Sequence, residues 1–197
     1  MSDTIAIDAV LLPPGEIWDW TIQLSRKSND GQQPDILLDD THLPHISLLQ
    51  MYVYRSDYEL LRDVVARVAE SFRPLTLTAK ELQTDKNGAS VVAIKRTKEL
   101  TSLHEAIADK TRKFEQNVDP SAFYLSKEEA PRPLTVSWVS NYIKKASYSN
   151  YDPHITIGLG VIGEQIRARN FNISRLAICH LGTRCTCRKI LDEWQLK

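Results

Sequence analysis

The sequence predicts an α+β protein built twice: two lobes related by a pseudo-twofold axis, with mostly antiparallel sheets flanked by helices about a central cleft. Three observations predict it. Strand-like and helix-like patterns alternate along all 197 residues. The tetrapeptide Pro44-His45-Ile46-Ser47 reappears as Pro153-His154-Ile155-Thr156. The two copies hold matching places, each preceded by a helix and a loop and followed by a helix and a β-hairpin, a repeat of order rather than of letters. Residues 1–197 are therefore read as a single bilobal domain, with the first motif around 43–53 and the second around 151–159.

The elements follow from local chemistry. Thr4 to Leu12 is rich in Ile, Val and Leu and reads as a buried strand. Pro13 and Pro14 end it and suit a first helical turn, after which Ile17, Thr21 and Leu24 recur at helical spacing. Ser28 to Asp40 carries Asn, Asp, Gly, Gln and Pro and reads as a loop. His45 to Val53 is a strand. Ser56 and Glu59 form a capping-box pattern ahead of the stripe Leu60, Leu61, Val64, Val65 and Val68, and Pro74 closes that helix. Leu75–Thr84 and Ala89–Arg96 read as a hairpin turned at Asn87-Gly88, where both residues tolerate positive φ. Thr97 caps a helix carrying Leu100, Leu103, Ile107 and Phe114. The polar stretch 117–133 is a connection. Leu134, Trp138 and Tyr142, four apart, predict one helix ending near Lys145. The second motif strand spans His154 to Leu159, a short helix is expected around Glu164 to Arg169, and two strands, Phe171–Leu181 and Arg184–Trp194, finish the chain.

Composition narrows function. Apolar residues make up 42%, enough for a packed core, and the 25 basic side chains equal the 25 acidic ones. That balance disfavours wrapping of duplex DNA through a broad basic surface, while leaving room for a local phosphate pocket. Cys179, Cys185 and Cys187 are too few and irregular for a secreted disulfide framework. They read as reduced residues of an intracellular strand, with a redox pair or half a metal site as alternatives. With neither a signal-like N-terminus nor a membrane-length apolar run, the expectation is a cytoplasmic protein without membrane partners, and a monomer.

Side chains alternate along a strand, so His45 shares a face with Ser47, and His154 with Thr156, while Ile46, Leu48, Ile155, Ile157 and Leu159 point to the apolar back. Two imidazoles and two hydroxyls suit phosphodiester cleavage. One neutral histidine accepts a proton, the other donates to the leaving oxygen, and the hydroxyls hold non-bridging oxygens. Which histidine plays which part is left open by the symmetry. No carboxylate stands at ligand spacing beside either histidine, so neither metal nor cofactor is expected. Tyr148 and Tyr151, just before the second motif, are candidates to bind substrate by stacking on a base. His42, in the loop three residues before His45, reads as a rim or solvent residue rather than a third catalyst, and His104 and His180 have no evident partner. Arg167, Arg169, Arg175, Arg184, Arg188 and Lys189 read as a solvated face, with a second phosphate contact as the alternative.

The paired segments Leu43-Pro44-His45-Ile46-Ser47-Leu48 and Tyr151-Asp152-Pro153-His154-Ile155-Thr156-Ile157-Gly158 resemble the two signature motifs of the 2H phosphoesterase superfamily, which includes 2′,5′ RNA ligase-like proteins and cyclic phosphodiesterases. The opening Ile7 to Pro14 is similar to the first strand and turn of many members. Ser47 stands where threonine is commoner and keeps the hydroxyl. The resemblance implies a bilobal fold with both motifs facing one cleft. It also implies metal-independent action on 2′,3′-cyclic phosphate or 2′,5′-linked RNA ends or nucleotides, and by microscopic reversibility the same site could seal a 2′,5′ bond. A module that binds nucleotide or RNA phosphate without turnover is the alternative, and a metal-dependent hydrolase a weaker third.

Overall fold

Strand Thr4–Leu12 (β1) is buried along its whole length, because it lies inside a sheet covered on both faces. The structure, a computed structural model, describes residues 3–28, 36–84, 88–126, 129–160 and 165–197. In chain order the further elements are α1 (Gly15–Ser28), β2 (Ile46–Tyr54), α2 (Tyr58–Ser71), β3 (Leu75–Thr84), β4 (Ala89–Ile94) and α3 (Lys98–Thr111). They continue with α4 (Pro133–Val139), α5 (Tyr142–Ala146), β5 (His154–Leu159), β6 (Arg169–Ile173), β7 (Arg175–Leu181) and β8 (Cys187–Gln195). Two four-stranded sheets result, ordered β2-β1-β7-β8 and β5-β4-β3-β6, and every pairing is antiparallel.

Each sheet takes two strands from each half of the sequence. The first half sends its hairpin β3–β4 to the second sheet, and the second half returns β7–β8 to the first. The helices are exchanged in the same sense: α1 packs on β5, and α3 on β2. The two motif strands, β2 and β5, end as edge strands and meet each other. Ile5, Ile7, Ala9 and Leu11 of β1 join the larger core with α2, α3 and the second sheet. Ala6, Val10 and Leu12 face a smaller one with Tyr52, Phe123 and Val139.

Both motif strands carry a β-bulge at one matching place. Ala9 pairs with Leu49 and Val10 with Ser47, so Leu48 is the extra residue. Ser90 pairs with Gly158 and Val91 with Thr156, so Ile157 is the extra residue. A bulge breaks strict alternation and re-aims the side chains around it. In β2, Leu48 and Leu49 both enter the larger core, while Ser47 shares the other face with Gln50 and Tyr52.

Several expected elements differ. Ser56 and Glu59 form no capping box: Ser56 lies in a 3-10 turn, Asp57 precedes α2 without a side-chain cap, and Glu59 pairs with Arg62 at 2.6 Å. Leu60 is exposed and Ala69 completes the buried stripe. The helix expected over 134–145 is two short ones. Ser140 Oγ and Asn141 Nδ2 both donate to the Ser137 carbonyl, at 3.0 and 2.8 Å, competing with the helical ladder where it breaks. Leu134, in the first turn of α4, faces solvent. Residues 165–168 are not helical and Arg169 opens β6; Glu164 lies outside the described residues, as do Asn87 of the expected hairpin turn and residues 29–35 of the first loop. The strand expected from Phe171 to Leu181 divides at Ser174 into β6 and β7, which join different sheets. Arg184 and Cys185 form a 3-10 turn rather than the start of β8, and both have positive φ.

Candidate active site

His45 stands at the entry to β2 and His154 at the start of β5. Each is pinned in one way: the Nδ1–H of His45 donates to the Leu43 carbonyl at 2.7 Å, and that of His154 to the Asp152 carbonyl at 2.8 Å. In both, the acceptor sits two residues upstream across the proline. The bond fixes the tautomer with the proton on Nδ1 and leaves the Nε2 lone pair unengaged by it. The rings are near enough that charge on His154 opposes charge on His45. The structure thus brings together two imidazoles that the sequence separates by more than half its length.

The surroundings of the two rings differ. His45 keeps 11% of its side-chain surface open. Burial, the largest cause, drives its pKa down to about 4; the Leu43 hydrogen bond opposes this and nearby His154 adds to it. At neutral pH His45 is a free base. Beneath it lies Asp8 of β1, fully buried, with Oδ2 3.8 Å from His45 Nε2. Ser47 Oγ donates to Asp8 Oδ2 at 2.6 Å and Gln50 Nε2 donates to the same oxygen at 2.9 Å. Burial outweighs these bonds and pushes the Asp8 pKa up to about 8. Among the described residues Asp8 Oδ1 is buried without a hydrogen-bond partner.

Ser47 is therefore engaged as a donor to a carboxyl inside the sheet. Thr156, its counterpart, is half-buried and its hydroxyl makes no hydrogen bond among the described residues. Asp8 and Gln50 were not singled out from the sequence. The available signal was Asp8 itself, an acid within an otherwise apolar buried strand.

Tyr151 offers no face to a base. It is buried, its ring stacks on His104 at 4.0 Å, and the Arg96 guanidinium lies over it at 5.9 Å. Its hydroxyl donates to the Ser47 carbonyl at 3.2 Å, linking the two motifs. Tyr148 turns its hydroxyl to Asp109 at 2.7 Å and its ring edge to His104. These tyrosines brace the approach to the second motif and do not form a stacking platform. His104 completes the brace, donating from Nδ1 to the Leu48 carbonyl at 2.7 Å and accepting from the Tyr148 N–H at 2.9 Å. Arg96 donates to the carbonyls of Tyr148, Ser149 and Tyr151. Tyr148 holds a φ of 57°, a left-handed conformation sustained by these bonds.

The late basic residues disperse: Arg175 pairs with Glu193, Arg188 with Glu129, and Arg169 covers Trp20. His180 donates to the Ala122 carbonyl and His42 lies by Asp39, both as structural contacts.

The family model described as the 2′-5′ RNA ligase superfamily matches residues 13–170, most of the chain and both motifs. The chain belongs to this superfamily of 2H phosphoesterases. Similar solved structures include TT0787 of Thermus thermophilus, 12% identical with a TM-score of 0.65 over 98% of each chain. Escherichia coli LigT complexed with NADP+ is 13% identical, with a TM-score of 0.62 over 100% of this chain and 99% of that one. LigT complexed with 3′-AMP is 14% identical, with a TM-score of 0.61 and the same coverage. These likenesses establish a shared fold. No curated protein sequence matches the chain. Membership in the 2H superfamily supports a phosphoesterase-type enzyme. Among the described residues no helix is long and apolar enough to cross a membrane.

Proposed function

We propose that the protein is a phosphodiesterase that works without metal, opening 2′,3′-cyclic phosphates or cleaving 2′,5′ linkages at RNA ends or in nucleotides. The observation that carries this reading is the matched pair His45 and His154, each pinned through Nδ1 with Nε2 left to react. Superfamily membership supports the reaction type. The nucleotides named in the LigT complexes support a nucleotide-sized substrate beside His45 and His154. The sheets, each of which draws strands from both halves, support reading residues 1–197 as one bilobal unit.

In the simplest reaction a water oxygen bonds to phosphorus as one ring P–O bond breaks. His45, buried and neutral, takes the water proton on Nε2, and His154 gives a proton to the departing ribose oxygen. Thr156 donates to a non-bridging oxygen. Ser47 joins it when Asp8 is protonated: the carboxylic acid then donates to Ser47 Oγ and frees the serine hydrogen for phosphate. The reverse reaction would seal a 2′,5′ bond in the same site.

The test is turnover in EDTA on 2′,3′-cyclic nucleotides, an RNA with a cyclic phosphate end and 2′,5′-linked oligoadenylates, beside His45→Ala and His154→Ala. Turnover lost in both variants is expected. Binding of the same ligands, seen as thermal stabilisation, with no product would favour a non-catalytic nucleotide-binding module.

A further inference from the structure

One cluster at the candidate site includes a thiol, that of Cys187, which the proposed phosphoester chemistry does not use. Asp8 of β1, His45 before β2 and Cys187 at the start of β8 each bring one ligand atom, and these atoms lie within 4.8 Å of one another. An oxygen, an imidazole nitrogen and a sulfur form a donor set suited to a borderline divalent cation. Tetrahedral zinc ligands stand roughly 3.3–3.8 Å apart, given bonds of about 2.0–2.3 Å. The 3.8 Å between His45 Nε2 and Asp8 Oδ2 is already close to that.

Each ligand is also held from behind, as metal ligands usually are. The Leu43 carbonyl takes the His45 Nδ1 hydrogen and leaves Nε2 toward the cluster. Ser47 and Gln50 hold Asp8 through Oδ2, while the buried Oδ1 meets no hydrogen-bond partner within bonding geometry among the described residues. The Leu43 N–H donates to the Cys187 carbonyl at 2.9 Å, tying the segment that carries His45 to the strand that carries the thiol. Asp8 and Cys187 have no exposed surface.

We propose that Asp8, His45 and Cys187 form an inhibitory binding site for a divalent cation of the zinc class. Bound there, the ion takes the lone pair of His45 Nε2, the atom that otherwise accepts the proton. Inhibition rests on the phosphodiesterase reading above; the site itself does not. On binding, the Cys187 thiol gives up its proton and Asp8 binds as carboxylate. The two negative ligands then balance the dication, and one coordination position remains for water.

The experiment titrates the full-length, EDTA-stripped protein with Co2+ as a spectroscopic probe and with Zn2+ by calorimetry. One equivalent is expected, with thiolate-to-cobalt charge transfer in the near ultraviolet and the visible bands of a tetrahedral ion. Cys187→Ala should lose the charge-transfer band and weaken Zn2+ binding at least tenfold, whereas Cys179→Ala should keep both. Asp8→Asn, a second route to the same site, should weaken binding as well. Zn2+ should inhibit turnover of the wild type, and at least tenfold more should be needed in Cys187→Ala. A wild type without the charge-transfer band, or a band that survives Cys187→Ala, overturns the proposal. If the band appears and is lost with Cys187 while no phosphodiester is turned over, the metal site stands and the enzymatic reading falls. If turnover is seen without the band, the enzymatic reading stands and the metal site falls.

Discussion

His45 and His154 occupy the same place in two matching motifs, each after a proline, each pinned by a carbonyl two residues back, each followed by a hydroxyl and a bulge. Their neighbours differ. The first motif strand lies against β1, which contributes Asp8, and Gln50 closes over the same carboxyl. The second lies against β4, where Val91 and Ala93 stand opposite Thr156 and His154. One motif therefore has a buried polar network beneath it, and the other has an aliphatic floor with an open hydroxyl. The motifs match, and the neighbouring strands make their surroundings unlike. In a reaction that needs one base and one acid, that asymmetry is the ground for the roles proposed above, in which the buried, neutral ring accepts and the more open ring donates.

The largest expected effect tests whether both halves are needed. His45→Ala and His154→Ala should each lower kcat by about 10²- to 10⁴-fold, measured in EDTA with a cyclic nucleotide. A variant retaining wild-type turnover would remove its motif from the mechanism. The hydroxyls should then separate. Thr156→Val should cut kcat/KM by roughly ten- to a hundredfold while leaving the melting temperature in place. Ser47→Ala should also destabilise the fold, by about 1–3 kcal/mol, because Asp8 loses a buried partner. Equal melting temperatures for the two would contradict the network drawn around Asp8.

Stability against pH sharpens the same contrast. Asp8 keeps a proton up to about pH 8 in the fold but loses it near 3.8 when unfolded. Its contribution is therefore complete in acid and declines as pH rises toward 8. His45, with a folded pKa of about 4 against an ordinary 6.5, acts in the opposite sense, and its contribution is lost as pH falls from 6.5 through 4. The two slopes oppose each other between pH 4 and 6.5, leaving the Asp8 decline alone from 6.5 to 8. Over that upper window the wild type should lose on the order of 2 kcal/mol relative to Asp8→Asn, read from denaturant melts at each pH. Parallel curves would show that Asp8 titrates normally. The smallest effect is that of Tyr151→Phe, about 1 kcal/mol, from loss of its bond to the Ser47 carbonyl. A changed base preference in that variant would restore Tyr151 to the substrate site.

The sequence by itself determined the strands and helices whose periodicity is strong. β1, α3 with its Thr97 cap, and both motif strands lie within a residue or two of where alternation and capping place them. It also singled out the candidate pair His45 and His154, because proline, histidine and hydroxyl at fixed spacing recur in equivalent places. Weaker local signals failed where a competing contact won, as at Ser140 and Asn141, whose side chains take the carbonyl that a continuous helix would use. Only the tertiary structure decided which hydroxyl is open. Alternation within β2 says nothing of the carboxyl on the adjacent strand, nor of the bulge at Leu48 that puts Ser47 on the face of Gln50. It likewise decided that Tyr151 braces the motifs, since the ring's partners His104 and Arg96 come from distant segments. Periodicity encodes the direction of a side chain from its own backbone; what the side chain meets there depends on strand order and register, which are properties of the whole chain.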